Sequence, residues 1–331
     1  KKINPKALGL LASSYIDLFT TTGEKIYEEK IHHCFQLLNQ NKVVIGKGIG
    51  WGYPFDWQSA KKIKANTPNG IVSTAVGEAY WKYYQLTKDP TILEVCSSIA
   101  LFLSELPKDQ ITDEQICFSY TPLYTNHVHN LNLFVAEYLL KIGLETGKQE
   151  MINLSEKAVN YTLAAQEENG AFDYNGPPEK PQHFYDNYHT SFVIRMLHSI
   201  YKLNKNKDVK SSLERCLSHW KGNFFLDDGT PKFTPHRIHR IDIHSSAEAV
   251  NCLAQLEQDY PKSIELAEKV LLWTIENLQD KSGYFYHGIF KSRFIGKPFK
   301  SRIPYMRWGQ AWMLKAFSSY MFTQKMITSA T

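Results

Sequence analysis

Gly170-Ala171-Phe172-Asp173-Tyr174 closes one amphipathic segment, and Tyr185-Asp186-Asn187-Tyr188-His189-Thr190 opens the next. The same succession of a glycine- or aromatic-rich loop, a small polar cluster and an amphipathic helix occurs at four other places. The loops there are Gly50-Trp51-Gly52-Tyr53, Cys117-Phe118-Ser119-Tyr120, Asp228-Gly229-Thr230 and Ser282-Gly283-Tyr284-Phe285. Helix starts near Thr74, Asn130, His189, Ser245 and Trp308 are spaced by 56, 59, 56 and 63 residues. A period that long fits one helical hairpin plus one long loop.

Working outward, the helical period predicts helices over 5–20, 24–40, 70–88, 90–106, 126–147, 150–168, 186–204, 207–221, 242–258, 261–279 and 304–325. Pro90, Pro261 and Pro304 stand at first-turn positions, where a missing N–H costs least. Thr87-Lys88-Asp89 and Gln258-Asp259-Tyr260 read as tight turns within hairpins. Connections between hairpins run to roughly 20–30 residues, a length that suggests function. Six helices either open the chain or follow a long loop, and five do not. This predicts an all-α protein, an (α/α)6 toroid with six inner and about five outer helices, in a single domain over 1–331. An open α-solenoid is the alternative. Closing the ring would bring all the polar clusters to one rim.

The composition sets limits on function. Of the 331 residues, 43% are hydrophobic and 13% aromatic, ample for a packed core. No apolar run approaches the roughly 18 residues of a membrane span. Reading from Lys1, no secretion signal is visible, and the five scattered cysteines lack a pairing pattern, so a reducing, cytoplasmic setting is expected. A net charge of +5 gives no general affinity for nucleic acid, and no nucleic-acid-binding motif is present. The charge is local instead: Lys291, Arg293, Lys297, Lys300, Arg302 and Arg307 crowd one loop and helix start, and Arg237 and Arg240 another. Clustered cations in a cleft would concentrate an anionic ligand.

Three stretches could carry chemistry. In Tyr185-Asp186-Asn187-Tyr188-His189-Thr190, Asp186 and His189 share one face of a first helical turn. Such a pair orients an imidazole as a general base, with Tyr185 and Tyr188 as further proton-transfer groups; a plain helix cap is the structural alternative. In the stretch from Pro235 to His244, His236, His239, His244 and Asp242 invite a metal, but two arginines repel a dication and the ligand spacing is irregular. Carboxylate recognition by Arg237 or Arg240 is the better expectation, with Asp242 capping a helix or transferring protons. In Tyr305-Met306-Arg307-Trp308-Gly309-Gln310-Ala311-Trp312, Arg307 is a candidate carboxylate clamp and Trp308 a sugar platform. Gly309 there suggests tight packing or close ligand approach. Further rim candidates are Trp51, Tyr53, Asp56, Trp57, Tyr120, Tyr124, His127, Asn130, Asp173 and Tyr174, with His239, His244 and Tyr305. No cofactor is expected: Gly46-Lys47-Gly48-Ile49-Gly50 lacks the strand-to-helix context of a phosphate loop.

The strings from Gly50 to Gln58, Asp186 to Thr190 and Tyr305 to Trp312 resemble bacterial α/α-toroid proteins of polysaccharide biosynthesis loci. More remotely, Ser73-Thr74-Ala75-Val76-Gly77-Glu78-Ala79 and the tyrosine-rich Asp-x-x-His stretch are similar to the helical part of glucuronyl C5-epimerases. The Arg-Trp-Gly-Gln run resembles toroidal hydrolases of unsaturated uronides. The leading expectation is an enzyme that abstracts the proton next to the carboxylate of a uronic-acid-containing glycan, as a lyase or C5-epimerase. His189 or Tyr185 would be the base, Asp186 its orienter, Arg240 and Arg307 the carboxylate binders, and Asn130 a supporting donor. A glycoside hydrolase using two of Asp56, Asp173, Asp186 and Asp242 is the enzymatic alternative. A non-catalytic glycan-binding component is the other.

Overall fold

The computed structural model describes residues 3–292 and 296–330. Arg293 of the basic cluster lies outside the described residues. Eleven α-helices are present among the described residues, paired into hairpins: α1 Pro5–Thr22 with α2 Lys25–Gln40, α3 Gly70–Thr87 with α4 Pro90–Ser104, and α5 His129–Thr146 with α6 Gln149–Ala164. They continue with α7 Asn187–Asn204 and α8 Lys207–Asn223, α9 Ile243–Leu256 and α10 Ser263–Leu278, and α11 Ala311–Ala330. A short π-helical turn, Met306–Gln310, leads into α11.

Local chemistry sets the boundaries. Asn4, Asn69, Asp89, Asp186, Asn206 and Asp242 cap the helices that follow them through their side-chain oxygens. Each such cap is worth about 1 kcal/mol. Within hairpins the chain reverses through left-handed residues at Gly23, Lys88, Gly147 and Lys205, which end a helix in one step.

Packing separates two layers. Helix α9 buries thirteen of its fourteen residues, whereas α2 buries four of sixteen. The odd-numbered helices pack each against the next, α1 on α3, α3 on α5 and so on round to α11, which returns to α1. The ring is therefore closed, an (α/α)6 toroid with the even-numbered helices outside. Tight inner contacts need small residues: a Cβ on Gly77 of α3 would lie 2.6 Å from the Tyr138 ring of α5.

The inner helices also carry charge into the ring. Asp17 pairs with Lys82 and Lys315, Lys141 bridges Glu78 and Glu137, and Arg195 binds Glu248 at 2.7 Å. Ser199 adds a hydrogen bond to Glu137, and Ser319 one to Asn251. Each of these carboxylates has a cation, which is what burial of charge requires.

The long loops add small antiparallel sheets that the helical reading did not anticipate. Val43–Ile45 pairs with Gly48–Gly50, so the glycine run is a hairpin; a Cβ on Gly48 would lie 2.3 Å from the Phe102 amide nitrogen. Lys108–Thr112 pairs with Gln115–Phe118. Ile241–Asp242, Gly288–Lys291 and Pro298–Ser301 form a three-stranded sheet that ties the start of α9 to the loop before α11. All five cysteines are buried and unpaired. No helix among the described residues is long and apolar enough to cross a membrane.

Candidate active site at the mouth of the ring

The starts of α1, α7, α9 and α11 meet at one mouth. Asp186 closes the first turn of α7: its Oδ1 accepts from the His189 amide at 2.9 Å and its Oδ2 faces His189 Nδ1 at 2.6 Å. The cap and the catalytic pair of the sequence reading are thus the same residue. Fixing Nδ1 leaves Nε2 free of partners among the described residues, on a ring that is partly exposed. This is how a carboxylate sets the tautomer of a general base.

Aromatic rings surround that imidazole. Tyr174 meets it edge-on at 4.7 Å and Tyr188 lies 4.2 Å away. Tyr188 in turn stacks on His244 at 4.5 Å, and Trp308 stands edge-on to both Tyr188 and His244. Arg307 lies over Trp308 and, 4.9 Å away, over Tyr53. Trp57 packs against Tyr53 and Tyr120. Residues from five long loops therefore form one continuous surface, and a narrow cleft in it is lined by Asn130, Tyr174, Asp186 and His189.

Asp242 anchors the other side. It is fully buried, caps α9 through the His244 amide at 2.8 Å, and accepts from Trp308 Nε1 at 2.9 Å and Arg240 at 3.2 Å. Burial lifts its carboxyl above the ordinary value, although those three donors favour the charged form. Arg240 also lies 3.9 Å above the Phe233 ring, so its charge is already engaged.

Burial raises the tyrosines. Tyr188 is pushed up by burial and by Asp186 and Asp242, Tyr174 is raised to about 12 by burial, and Tyr120 stands well above its usual value. All three are neutral phenols, donors rather than bases, at neutral pH. His244 is driven well below its usual value by burial and then by the charges of Lys6, Arg307 and His189. Both of its ring nitrogens are buried without a hydrogen-bond partner.

Other sequence candidates stand apart. Tyr185 donates to Glu167 at 2.6 Å, away from His189. Asp56 is exposed, held by the Ala65 amide and by Lys62 and Lys64. His127 is clasped by Asp109 and Glu179. Asp173 does line the cleft beside His189, but its oxygens are taken by the amides of Tyr174, Gln182, His183 and Phe184, which shapes the loop into α7. Trp51 is buried and bonded to the Leu38 carbonyl. Arg237 lies in an exposed turn with His239 beside it, and Tyr305 packs on His287. No group of three or more His, Cys, Asp or Glu among the described residues could hold a metal ion. A Cβ on Gly309 would meet nothing nearer than 3.5 Å, so tight packing is not the reason for that glycine. The reading of the sequence passed over Lys6, in the first turn of α1 and only 6% exposed, and assigned Trp312 to packing alone.

No protein-family model matches the chain. No curated protein matches it either. Solved structures do. The cellobiose 2-epimerase of Bacillus thermoamylovorans superposes with a TM-score of 0.74 at 11% identity, covering 97% of this chain and 87% of that one. The GH76 α-mannanase of Bacteroides thetaiotaomicron gives 0.71 at 10% identity, over 99% and 87% of the chains. An unsaturated glucuronyl hydrolase specific for heparin gives 0.65 at 12% identity, over 95% and 85%. At such identities the likeness establishes the α/α-toroid fold, which hosts more than one sugar chemistry.

Proposed function

We propose that the protein is a carbohydrate-active enzyme that removes the proton next to the carboxylate of a uronic acid residue, in the manner of an epimerase or a lyase. The observation that carries this reading is the Asp186–His189 pair: an imidazole with one nitrogen fixed at 2.6 Å, the other open to the mouth, and neutral phenols on two sides. His189 Nε2 takes the proton from carbon. Arg307, which has no ion pair among the described residues, stabilises the charge that then spreads onto the carboxylate. Return of a proton on the opposite face of the sugar inverts the centre; breakage of the neighbouring C4–O bond, with a proton from Tyr188 or Tyr174 to the leaving oxygen, leaves an unsaturated product. Trp308 and Tyr53 offer faces for the sugar ring.

The carboxylates support this over hydrolysis. Asp56, Asp173, Asp186 and Asp242 each have their oxygens engaged by amides, cations or an indole, which leaves no free acid–base pair facing the mouth. The fold neighbours include sugar epimerases and glycoside hydrolases, and the sequence resemblance to polysaccharide-locus proteins suggests an acidic polysaccharide as the setting.

The test is incubation with a panel of uronic-acid oligosaccharides in heavy water. Deuterium at the carbon bearing the carboxylate, or near-ultraviolet absorbance from an unsaturated product, is the expected result. New reducing ends with neither signal would overturn the reading in favour of hydrolysis, and binding without turnover would reduce the protein to a glycan-binding component.

A further inference from the structure

Beneath the aromatic layer of Tyr188, Phe192 and His244 lies a cavity of about 50 Å³ on the ring axis, lined among others by Lys6, Phe134, Arg195 and Trp312. A water molecule needs about 10–15 Å³ on this measure. The space is thus large enough for a carboxylate and far too small for a sugar ring.

The charges that face it do not balance. Glu78 and Glu137 on α3 and α5 share Lys141, Glu248 on α9 is taken by Arg195, and Lys315 on α11 is taken by Asp17. Asp17 also holds Lys82, so four carboxylates meet four cations and one cation on the lining is left over, Lys6 on α1. Lys6 has no ion pair among the described residues; its nearest recorded partner is the Trp312 ring at 5.6 Å. Trp312 Nε1 and both nitrogens of His244 are buried and unpartnered as well. A buried cationic side chain without an ion pair, beside an indole N–H without a partner, is costly unless something supplies the missing negative charge.

We infer that this axial cavity is a carboxylate pocket, in which Lys6 and the Trp312 indole N–H grip the acid group of a sugar acid, with Arg307 and His244 standing at the mouth above it. The identity of the anion rests on the proton-abstraction reading given above; the site itself does not. Binding is also proton-linked. Burial, then Arg307, lowers Lys6 to about 7, with Glu248 opposing and Arg195 adding to the shift. An incoming anion restores the charged form, so the complex takes up a proton at and above neutral pH, and affinity falls by up to tenfold per pH unit beyond that point.

The experiment is isothermal titration of the intact protein with glucuronate, galacturonate, mannuronate and iduronate, with glucose as the neutral control. It is run slightly above neutrality in two buffers of different protonation heat. The expected result is binding of at least one acid with net proton uptake, and glucose at least tenfold weaker. In Lys6→Met, and in Lys6→Gln should the first variant misfold, affinity drops at least tenfold and proton uptake disappears. Binding by no sugar acid, or acid binding and proton uptake that both variants retain, overturns the inference. So does inorganic sulfate binding as tightly as the best acid, since that marks a bare anion site. Because no turnover is read, Lys6-dependent binding without deuterium exchange would sink the proposed reaction and leave the pocket standing.

Discussion

The lower half of the ring axis and its mouth are built from the same residue types but obey different rules. Below, the carboxylates Asp17, Glu78, Glu137 and Glu248 each hold a cation, and serines and Asn251 fill the remaining valences. At the mouth, Lys6 and Arg307 lack counter-ions, His244 and Trp312 keep buried nitrogens without partners, and His189 presents a free nitrogen. Stability explains the first arrangement. The second lowers stability, since buried donors go unpaired there, and is the arrangement that the proposed ligand would complete.

Mutations can break that contrast. His189→Ala should cost about 10²–10⁴-fold in turnover of whichever sugar acid scores in the deuterium panel, with the urea midpoint nearly unchanged. An active alanine variant would remove the mouth from the chemistry. Asp17→Ala should behave in the opposite way: it strands Lys82 and Lys315, so unfolding free energy falls by about 3–5 kcal/mol while KM holds. A denaturant curve that barely moves would show that the axial network is not structural.

Acidification sharpens the same division. His129 is fully enclosed, and burial lowers it to about 4. A folded-state value below the unfolded one means the unfolded chain binds more protons, so the stability present above pH 6.5 is lost as pH falls toward 4. Urea titrations across that range should lose about 3 kcal/mol from His129 alone, and His129→Gln should flatten the dependence.

Smaller effects come next. Arg307→Met should raise KM by about tenfold or more while stability stays within about 1 kcal/mol, the signature of a charge held for a ligand. Trp308→Phe keeps the ring but deletes the hydrogen bond to Asp242; a loss of about 1 kcal/mol in thermal unfolding is expected, with binding largely intact.

The ring was legible in the sequence because its period is set by local signals. Asp186 and Asp242 cap helices, and Lys88 and Lys205 follow them out, all within a few residues of the segments they bound. The Asp186–His189 pair was legible for the same reason, being one turn of helix. What escaped is long-range. His127 looks like a rim residue until Asp109 arrives from one hairpin and Glu179 from the next loop. Arg240 looks free until Asp242 and Phe233 claim it. Lys6 carries no local mark at all: it follows no long loop, and only ring closure buries it against α9 and α11.

That closure also dictates when the mouth is completed. Helix α11 is fastened to α1 by Lys315 on Asp17 and by Lys325 on the carbonyl of Thr21, across nearly the whole length of the polypeptide. Arg307 and Trp308 stand immediately ahead of that final segment. As the chain is made, five hairpins can emerge and dock in order, yet the ring stays an unfinished horseshoe until α11 reaches α1. Only that last contact sets Arg307 and Trp308 against the residues of the earlier hairpins.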